Sequence, residues 1–204
     1  MNPKLKVIHR DPFCLAVHKP HGIATYRESR GGNADGCKEL LEEQLNQRLF
    51  PVHRIDADTS GVVLFALDPR SAAGFIRAFK EHKVQKTYEA WCVGDLPERG
   101  TIRTPLKKNK SHETESARTD YLRIRRERGF SLVTAHPFTG RFHQIRRHFE
   151  SIGHPLVGDP LYGPPEAWKG FFKGEPRLML QASGLELIHP VSRKPLRIKT
   201  KIPL

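Results

Sequence analysis

The run VVLFAL at residues 62–67 is the feature that most constrains the fold of this chain. It lies between Gly61 and the Asp68-Pro69 pair, and a continuous apolar run of this length is typical of a central strand covered on both faces. Elsewhere short strand patterns outnumber the helical ones, and the two kinds do not alternate regularly. This order disfavours a doubly wound parallel sheet. It predicts an α+β fold with a mixed, mainly antiparallel sheet flanked by helices and loops.

The periodicity of apolar residues places the individual elements. Strand patterns lie at residues 5–10, 13–19, 62–67, 86–93, 119–137 (two strands around a glycine-containing turn), 178–190 and 195–200. Helical patterns lie at residues 37–49, 71–82 and 140–153. Asp35 is the predicted cap of the first helix, and Gly153 ends the third. We expect one domain over residues 1–204, since a chain of this length buries one good core.

The charge of the chain favours a polyanionic partner. Thirty-five Lys and Arg against 22 Asp and Glu give a formal net charge of +13, and nucleic acid is the leading candidate. The basic residues are scattered and do not gather on one amphipathic helix, which disfavours a membrane surface. No apolar run approaches the ~20 residues of a membrane span, and the start lacks the apolar centre of a secretory signal. We therefore expect a cytoplasmic protein.

The cysteines and histidines do not predict a metal centre. Cys14, Cys37 and Cys92 lie far apart in apolar segments, and we interpret them as reduced core residues. Among the 11 histidines, His143 and His148 are five residues apart and would not share a helix face. The sequence therefore predicts neither a disulfide nor a metal site.

The third helical pattern carries arginines beside its apolar stripe. The stripe consists of Phe142, Ile145, Phe149 and Ile152. Arg146 and Arg141 fall at its boundary, and a guanidinium half-buried there needs an acidic or phosphate partner. Alternatively Arg141 extends to water, as isolated arginines often do. Arg147 falls near the opposite side of the helix and is expected to be exposed.

Four segments resemble one family, the RluA-like branch of RNA pseudouridine synthases. They are HKPHG (18–22), HRIDADTSG (53–61), KTYEA (86–90) and GRFHQIRRHFESIGHPLVGDPLYG (140–163), and they occur in the family's order over almost the whole chain. The resemblance implies the pseudouridine synthase fold and isomerisation of selected uridines in rRNA or tRNA. It also implies a member that consists of the catalytic domain alone.

The chain departs from the family pattern at three positions. Ile55 replaces the commoner Leu, Phe142 stands where Thr, Lys or Ser is more usual, and Gln181 stands where many relatives have His. None of these changes removes a group on which the chemistry depends.

The resemblance assigns the chemistry to Asp56. This carboxylate attacks the anomeric carbon or the uracil ring, or it assists formation of a glycal, and the three routes stay open. In each role it acts as the ionised group, which a neighbouring arginine favours. Arg146 is the partner we expect. Asp58 is interpreted as a turn or surface residue.

Other residues are expected to handle the RNA. The target base must leave its stack, Arg54 is expected to enter the vacated space, and Tyr88 to stack on the flipped uracil. The alternative for Tyr88 is an ordinary core aromatic of its strand. The expected substrate-binding residues are Arg54, Arg141, His53 and Thr59. The loops at 24–36 and 107–118 are expected to select the RNA.

Two other functional classes fit parts of the sequence. A passive RNA-binding module would use the same charge, but it would not need Asp56 and its arginine. A metal-dependent hydrolase could use Asp56 and Asp58, although no further acidic cluster lies nearby in sequence. The interpretation that we carry forward is a monomeric enzyme acting on structured RNA, with no cofactor and no metal.

Overall fold

A computed structural model describes residues 4–27, 35–108 and 112–204 of the chain. The elements in chain order are β1 (Lys6–Arg10), β2 (Cys14–Lys19), α1 (Cys37–Leu45), β3 (Phe50–Pro51), β4 (Ser60–Ala66), α2 (Pro69–Lys80), β5 (Gln85–Val93), β6 (Arg99–Ile102), β7 (Leu106–Lys107), β8 (Thr114–Glu115), β9 (Thr119–Glu127), β10 (Phe130–Pro137), α3 (Gln144–Ser151), a 3₁₀ turn (Pro165–Trp168), β11 (Leu180–Ile188) and β12 (Pro195–Lys199). They form two compact units, one of residues 1–85 with 182–203 and one of residues 86–181 with Leu204. One catalytic domain over the whole chain stays a prediction.

The first unit is built around β4. All seven residues of β4 are buried, and β2 pairs with β4 in an antiparallel register that sets Lys19 opposite Gly61. β1 and β3 add further antiparallel pairs, to β2 and β4 respectively. Phe75 of α2 packs with the apolar residues of β4 in the core. The predicted central strand is confirmed.

The second unit is an antiparallel arrangement in which β10 pairs with both β5 and β9. β6 pairs with β9, and β7 pairs with β8. Ile145 and Phe149 of α3 enter a core that also contains Ala90 and Val133. The turn between β9 and β10 has positive φ at Arg128 and Gly129, as a tight hairpin requires.

The predicted α+β class with a mainly antiparallel sheet is confirmed by these pairings. The periodicity missed β3, β6, β7 and β8, which are two to four residues long. It also placed the first cap at Asp35, whereas Gly36 is the N-cap. The side chain of Asp35 instead pairs with Arg27. Residues 28–34 and 109–111 of the two predicted recognition loops lie outside the described residues.

None of the helices in the described parts of the chain is both long and apolar enough to cross a membrane.

The third helix differs from its prediction at both ends. It starts at Gln144, because His143 has a left-handed backbone with φ of 50°. Phe142 therefore precedes the helix and is 47% exposed, while Ile152, the C-cap, is 37% exposed. The predicted stripe was wrong for these two residues. It is confirmed for Ile145 and Phe149, which are buried.

Candidate active site

Asp56 lies on a turn that leads into β4. The backbone N–H of Thr59 donates to the carbonyl of Asp56 at 3.1 Å, which closes the turn. Asp56 is half-buried, and Thr59 is buried. The turn therefore presents the carboxylate at a fixed place just before the buried strand.

The residues on either side of Asp56 are held by separate contacts. The Thr25 hydroxyl donates to the carbonyl of Ile55 at 3.0 Å and accepts from the Ile55 N–H at 3.2 Å. The carbonyl of Ala57 accepts from Nζ of Lys19 at 2.8 Å and from the N–H of Gly22 at 2.9 Å. These contacts fix the backbone immediately before and after the carboxylate.

Lys19 is a buried cation beside this turn. Its ammonium is fully buried and also donates to the carbonyls of Pro20 at 2.8 Å and Ile23 at 2.6 Å. Burial lowers the pKa of Lys19 to about 8, while the negative charges of Asp58 and Asp56 oppose this shift. Asp56 therefore has a cation in its surroundings that sequence reasoning missed. The available signal was the position of Lys19 within HKPHG, the first of the four segments.

Gly61 allows the close approach of two backbone segments behind the turn. It has φ of 114°, and an added Cβ would lie 2.2 Å from the carbonyl oxygen of Ala182. Only glycine fits this position without displacement of the backbone. The Thr-Ser-Gly end of the second segment is thus explained by packing.

His53 and Arg54 precede the turn in the chain, and their side chains have different surroundings. Nε2 of His53 accepts from the Leu64 N–H at 2.9 Å, and its ring stacks on Phe79 with centroids 4.4 Å apart. Arg54 is exposed, and its guanidinium carbon lies 5.6 Å from the ring centroid of Tyr26. Contacts of either residue with RNA stay predictions.

Tyr88 and Lys86 belong to β5 in the second unit. Tyr88 is half-buried, stands opposite Ala135 and packs against the core of the unit. Nζ of Lys86 donates to the carbonyl of Thr139 at 2.8 Å. Burial lowers the pKa of Lys86 to about 8.

Arg146 forms a bidentate ion pair with Asp159. Nε and Nη2 each donate to one carboxylate oxygen at 2.7 Å. The side chains of Arg146 and Asp159 are 1% and 0% exposed, so the expectation of a half-buried guanidinium was wrong. The ring of Tyr162 lies 5.2 Å from the guanidinium carbon. Asp159 satisfies the requirement for an acidic partner.

Sequence reasoning assigned no role to Asp159. The signal was available, because Asp159 stands in the fourth segment, which matches the family's Gly-Asp. Asp56 and Arg146 belong to different units, and their pairing stays a prediction.

The segment before α3 is organised by Gln144. Its Oε1 accepts from the Thr139 hydroxyl at 2.6 Å and from the Arg141 N–H at 3.1 Å. Arg141 pairs with Glu115 and donates from Nε to the Ser116 carbonyl at 3.1 Å. Arg141 therefore has a carboxylate partner, and its predicted contact with RNA is untested.

Arg147 is half-buried rather than exposed as expected. Its Nη1 donates to the carbonyls of Lys107 at 3.0 Å and Phe142 at 3.3 Å. The guanidinium thus contacts the backbone of β7 and of Phe142, and a helical projection does not represent contacts with other segments.

His9, Asp11 and Cys14 come together as a possible metal-ligand group that the spacing did not reveal. His189 lies beside this group: its Nδ1 accepts from the N–H groups of Val191 and Ser192, both at 3.1 Å, and its Nε2 lies 3.4 Å from the Asp11 carboxylate. Burial raises the pKa of the Cys14 thiol. The Cys14 thiol donates to the Asp11 carboxylate at 3.4 Å, and Nε2 of His9 lies 3.3 Å from the same carboxylate, so the three residues form a hydrogen-bonded cluster.

The cysteine prediction is confirmed, because Cys14, Cys37 and Cys92 are buried free thiols.

The family model described as RNA pseudouridylate synthase matches residues 14–151. This match contains the Asp56 turn, β5 and α3.

Relatives that align over most of the chain and a solved structure agree with this match. The chain is 34% identical over 221 residues to tRNA pseudouridine synthase C of Yersinia pestis, and this alignment covers 97% of the chain and 86% of that protein. It is 31% identical to tRNA pseudouridine synthase C of Vibrio cholerae, over 96% of the chain and 90% of that protein. The structure of human RNA pseudouridylate synthase domain containing 1 superimposes with a TM-score of 0.82 and 26% identity, over 100% of the chain and 87% of that structure. The chain therefore belongs to the RluA-like RNA pseudouridylate synthase family and is an RNA pseudouridine synthase.

Proposed function

We propose that this protein converts a uridine of a tRNA stem-loop to pseudouridine, with Asp56 as the catalytic carboxylate. The tRNA substrate is supported by the names of the relatives, which are tRNA pseudouridine synthases. The net charge of +13 suits a phosphate backbone as the binding partner.

The isomerisation needs one well-placed carboxylate and no external oxidant or reductant. The bond from ribose C1′ to uracil N1 breaks, the uracil turns, and a bond from C1′ to C5 forms. The hydrogen on C5 leaves as a proton, and N1 gains one. Asp56 assists by attack on C1′, by attack on the ring, or by removal of a ribose proton to give a glycal.

The observation that carries the proposal is the fixed backbone around Asp56. Thr25 holds Ile55 and Lys19 holds Ala57, so the backbone that bears the carboxylate is held on both sides. Catalysis depends on such positioning before the substrate arrives. The ammonium of Lys19 also interacts electrostatically with Asp56.

The same ammonium favours an isomerase over a metal-dependent hydrolase. Asp56 and Asp58 both interact with Lys19, so their charges are already partly balanced by a cation of the protein. We propose that the enzyme works as a cytoplasmic monomer without metal or cofactor, and activity should therefore persist in a chelator.

Arg146 is the second cation in the proposal. A guanidinium has five N–H donors, so the bidentate pair with Asp159 is compatible with a further carboxylate partner. The Asp159 pair and the ring of Tyr162 hold the guanidinium rigidly. We assign Arg146 to the support of ionised Asp56.

Arg54 and Tyr88 are assigned to the flipped base. The extrusion of a base costs a few kcal/mol of stacking and pairing energy, and a cation that enters the vacated space offsets part of it. Arg54 suits this role because it is exposed beside the catalytic turn. Tyr88 supplies an aromatic face for the extruded uracil, which is worth ~1 to 3 kcal/mol.

The proposal is tested by incubation of the purified protein with a set of tRNA transcripts, followed by mapping of pseudouridine at single-nucleotide resolution. We expect pseudouridine at one or a few defined uridines in tRNA. A ribosomal RNA transcript is the control for the substrate class. If no tRNA in the set is modified while a ribosomal RNA is, the tRNA assignment is wrong and the isomerase assignment stands.

A further inference from the structure

An aromatic pair with one exposed member, Phe142, lies immediately before α3, outside the residues assigned above. The ring of Phe142 lies on the imidazole of His143, with 3.7 Å between the centroids and 20° between the planes. Phe142 is nonetheless 47% exposed. Since His143 lies on one face of the ring, the opposite face is the one to which a further planar group could be added.

The Phe142–His143 pair is held in place by Tyr162, which in turn packs against Arg146. The Tyr162 hydroxyl lies 3.0 Å from Nδ1 of His143, at hydrogen-bond distance. The Tyr162 ring in turn packs against the guanidinium of Arg146, which is fixed by Asp159. An aromatic ring that is already fixed loses little conformational entropy when a ligand stacks on it.

The surface next to Phe142 carries several cations. A cavity of about 180 Å³ adjoins its ring and is also lined by Lys107, Lys108, Glu115 and Arg141. Lys107 and Lys108 are exposed, and Lys108 pairs with Glu113. Glu115, the one carboxylate among the described lining residues, pairs with Arg141. An aromatic face beside exposed lysines matches a nucleotide, which offers a flat base and a phosphate.

We propose that Phe142, supported by His143, is a stacking platform for an unpaired base of the substrate RNA, and that Lys107 contacts an adjacent phosphate. This inference rests on the proposed function, because it takes the ligand to be the substrate RNA. The platform would bind single-stranded nucleotides, since bases inside a duplex do not offer a free face.

The direct test uses fluorescence and does not depend on catalysis. The only two tryptophans, Trp91 and Trp168, are 7% and 6% exposed, so Phe142→Trp adds an exposed reporter. We expect a single-stranded oligouridylate to quench its emission, and an abasic oligomer of the same length to leave it unchanged. Ile124→Trp is the matched control, because Ile124 is 50% exposed on β9 of the same unit. Equal quenching in the two variants, or quenching by the abasic oligomer, would overturn the platform.

A kinetic test separates stacking from a structural role. Phe142→Leu keeps the apolar volume but removes the aromatic face, so KM for the substrate RNA should rise between about 5-fold and 150-fold, as stacking on one base implies. The value of kcat should change little, and Phe142→Tyr should keep the wild-type KM. A wild-type KM in Phe142→Leu would contradict the inference.

The two proposals can fail separately. If the wild-type protein modifies no RNA but Phe142→Trp is quenched selectively by the oligouridylate, the platform stands and the proposed reaction is wrong. The platform is wrong and the proposed reaction stands if RNA is modified, Phe142→Trp is quenched no more than Ile124→Trp, and Phe142→Leu keeps the KM of Phe142→Tyr.

Discussion

Contacts of the two adjacent residues, Ile55 and Ala57, set the position of Asp56. The sequence alone does not show these contacts. The segment HRIDADTSG predicts a turn and an acid, and both are found. What the segment does not display is Lys19, some 40 residues earlier, whose ammonium reaches the carbonyl of Ala57. Contacts between distant residues of this kind require the fold, because the register of β2 against β4 brings Lys19 opposite Gly61.

The buried lysines make stability depend on pH. Burial lowers the pKa of Lys86 from 10.5 to about 8. Between these values the unfolded chain binds more protons than the folded chain, so the free energy of unfolding rises with pH. Lys86 should contribute about 1 kcal/mol of this rise between about pH 7.5 and pH 9. Urea unfolding of the wild type and Lys86→Met over this range measures the difference.

Other groups with shifted pKa values are the same in both proteins and cancel in the difference. Burial raises the pKa of Cys37 to about 12, so the free energy of unfolding of each protein falls again at higher pH. Lys19 likewise contributes equally to both proteins. Identical pH dependence in the wild type and Lys86→Met would show that the lowered pKa is wrong.

The Arg146–Asp159 pair makes a prediction about buried charge. Asp159→Ala leaves the guanidinium without its bidentate carboxylate and should lower the free energy of unfolding by about 3 to 5 kcal/mol. Asp120→Ala is the matched control: it removes an ion pair with Arg118 whose side chains are 38% and 30% exposed, and it should cost below about 1 kcal/mol. Equal losses in the two variants would contradict the account.

A double variant separates stability from chemistry at the same pair. Arg146→Met with Asp159→Leu replaces both charges by apolar groups and should recover most of the lost stability. Its turnover should stay low, because the cation proposed to support Asp56 is gone. Recovery of turnover together with stability would limit Arg146 to a structural role.

At the scale of elements, α3 shows where periodicity stops being informative. The helical projection placed Phe142 in the core, but it assumes regular geometry from the first residue, and the left-handed backbone of His143 breaks that geometry. It could not anticipate that Gln144 and His148 would be buried, because their partners come from other segments: Gln144 donates to the carbonyl of Arg118 and His148 lies against Thr119. Long apolar runs such as β4 were predicted well since their burial does not depend on a single partner.

The entry into β4 depends on Gly61. Gly61→Ala combines a φ of 114° with a Cβ placed 2.2 Å from the Ala182 oxygen, so the backbone must shift, and we expect a loss of more than about 3 kcal/mol. Gly129→Ala is the matched control, with φ of 79° and no atom within 4 Å of the added Cβ; it should cost about 1 to 2 kcal/mol. Thermal unfolding of both variants compares them. If Gly61→Ala loses no more stability than Gly129→Ala, the backbone around Gly61 and Ala182 accommodates a Cβ and the predicted clash is wrong.

At the scale of the whole molecule, the fold class and the family can be predicted from the sequence more completely than the contacts of the candidate site. The antiparallel α+β class follows from short strands around a few helices, and the family follows from four segments in order. The contacts of Lys19, Asp159 and the Phe142–His143 pair required the structure, since each depends on residues distant in sequence or on local backbone geometry. The sequence indicates which residue types are present, and the fold decides which of them meet.

The central claim is that the carboxylate of Asp56 carries out the isomerisation. The most direct measurement is tritium release from tRNA labelled at C5 of uridine, under single turnover, for the wild type, Asp56→Asn and Asp58→Asn. We predict that Asp56→Asn falls to background while it still binds RNA, and that Asp58→Asn remains active. Turnover by Asp56→Asn at the wild-type rate would contradict the account.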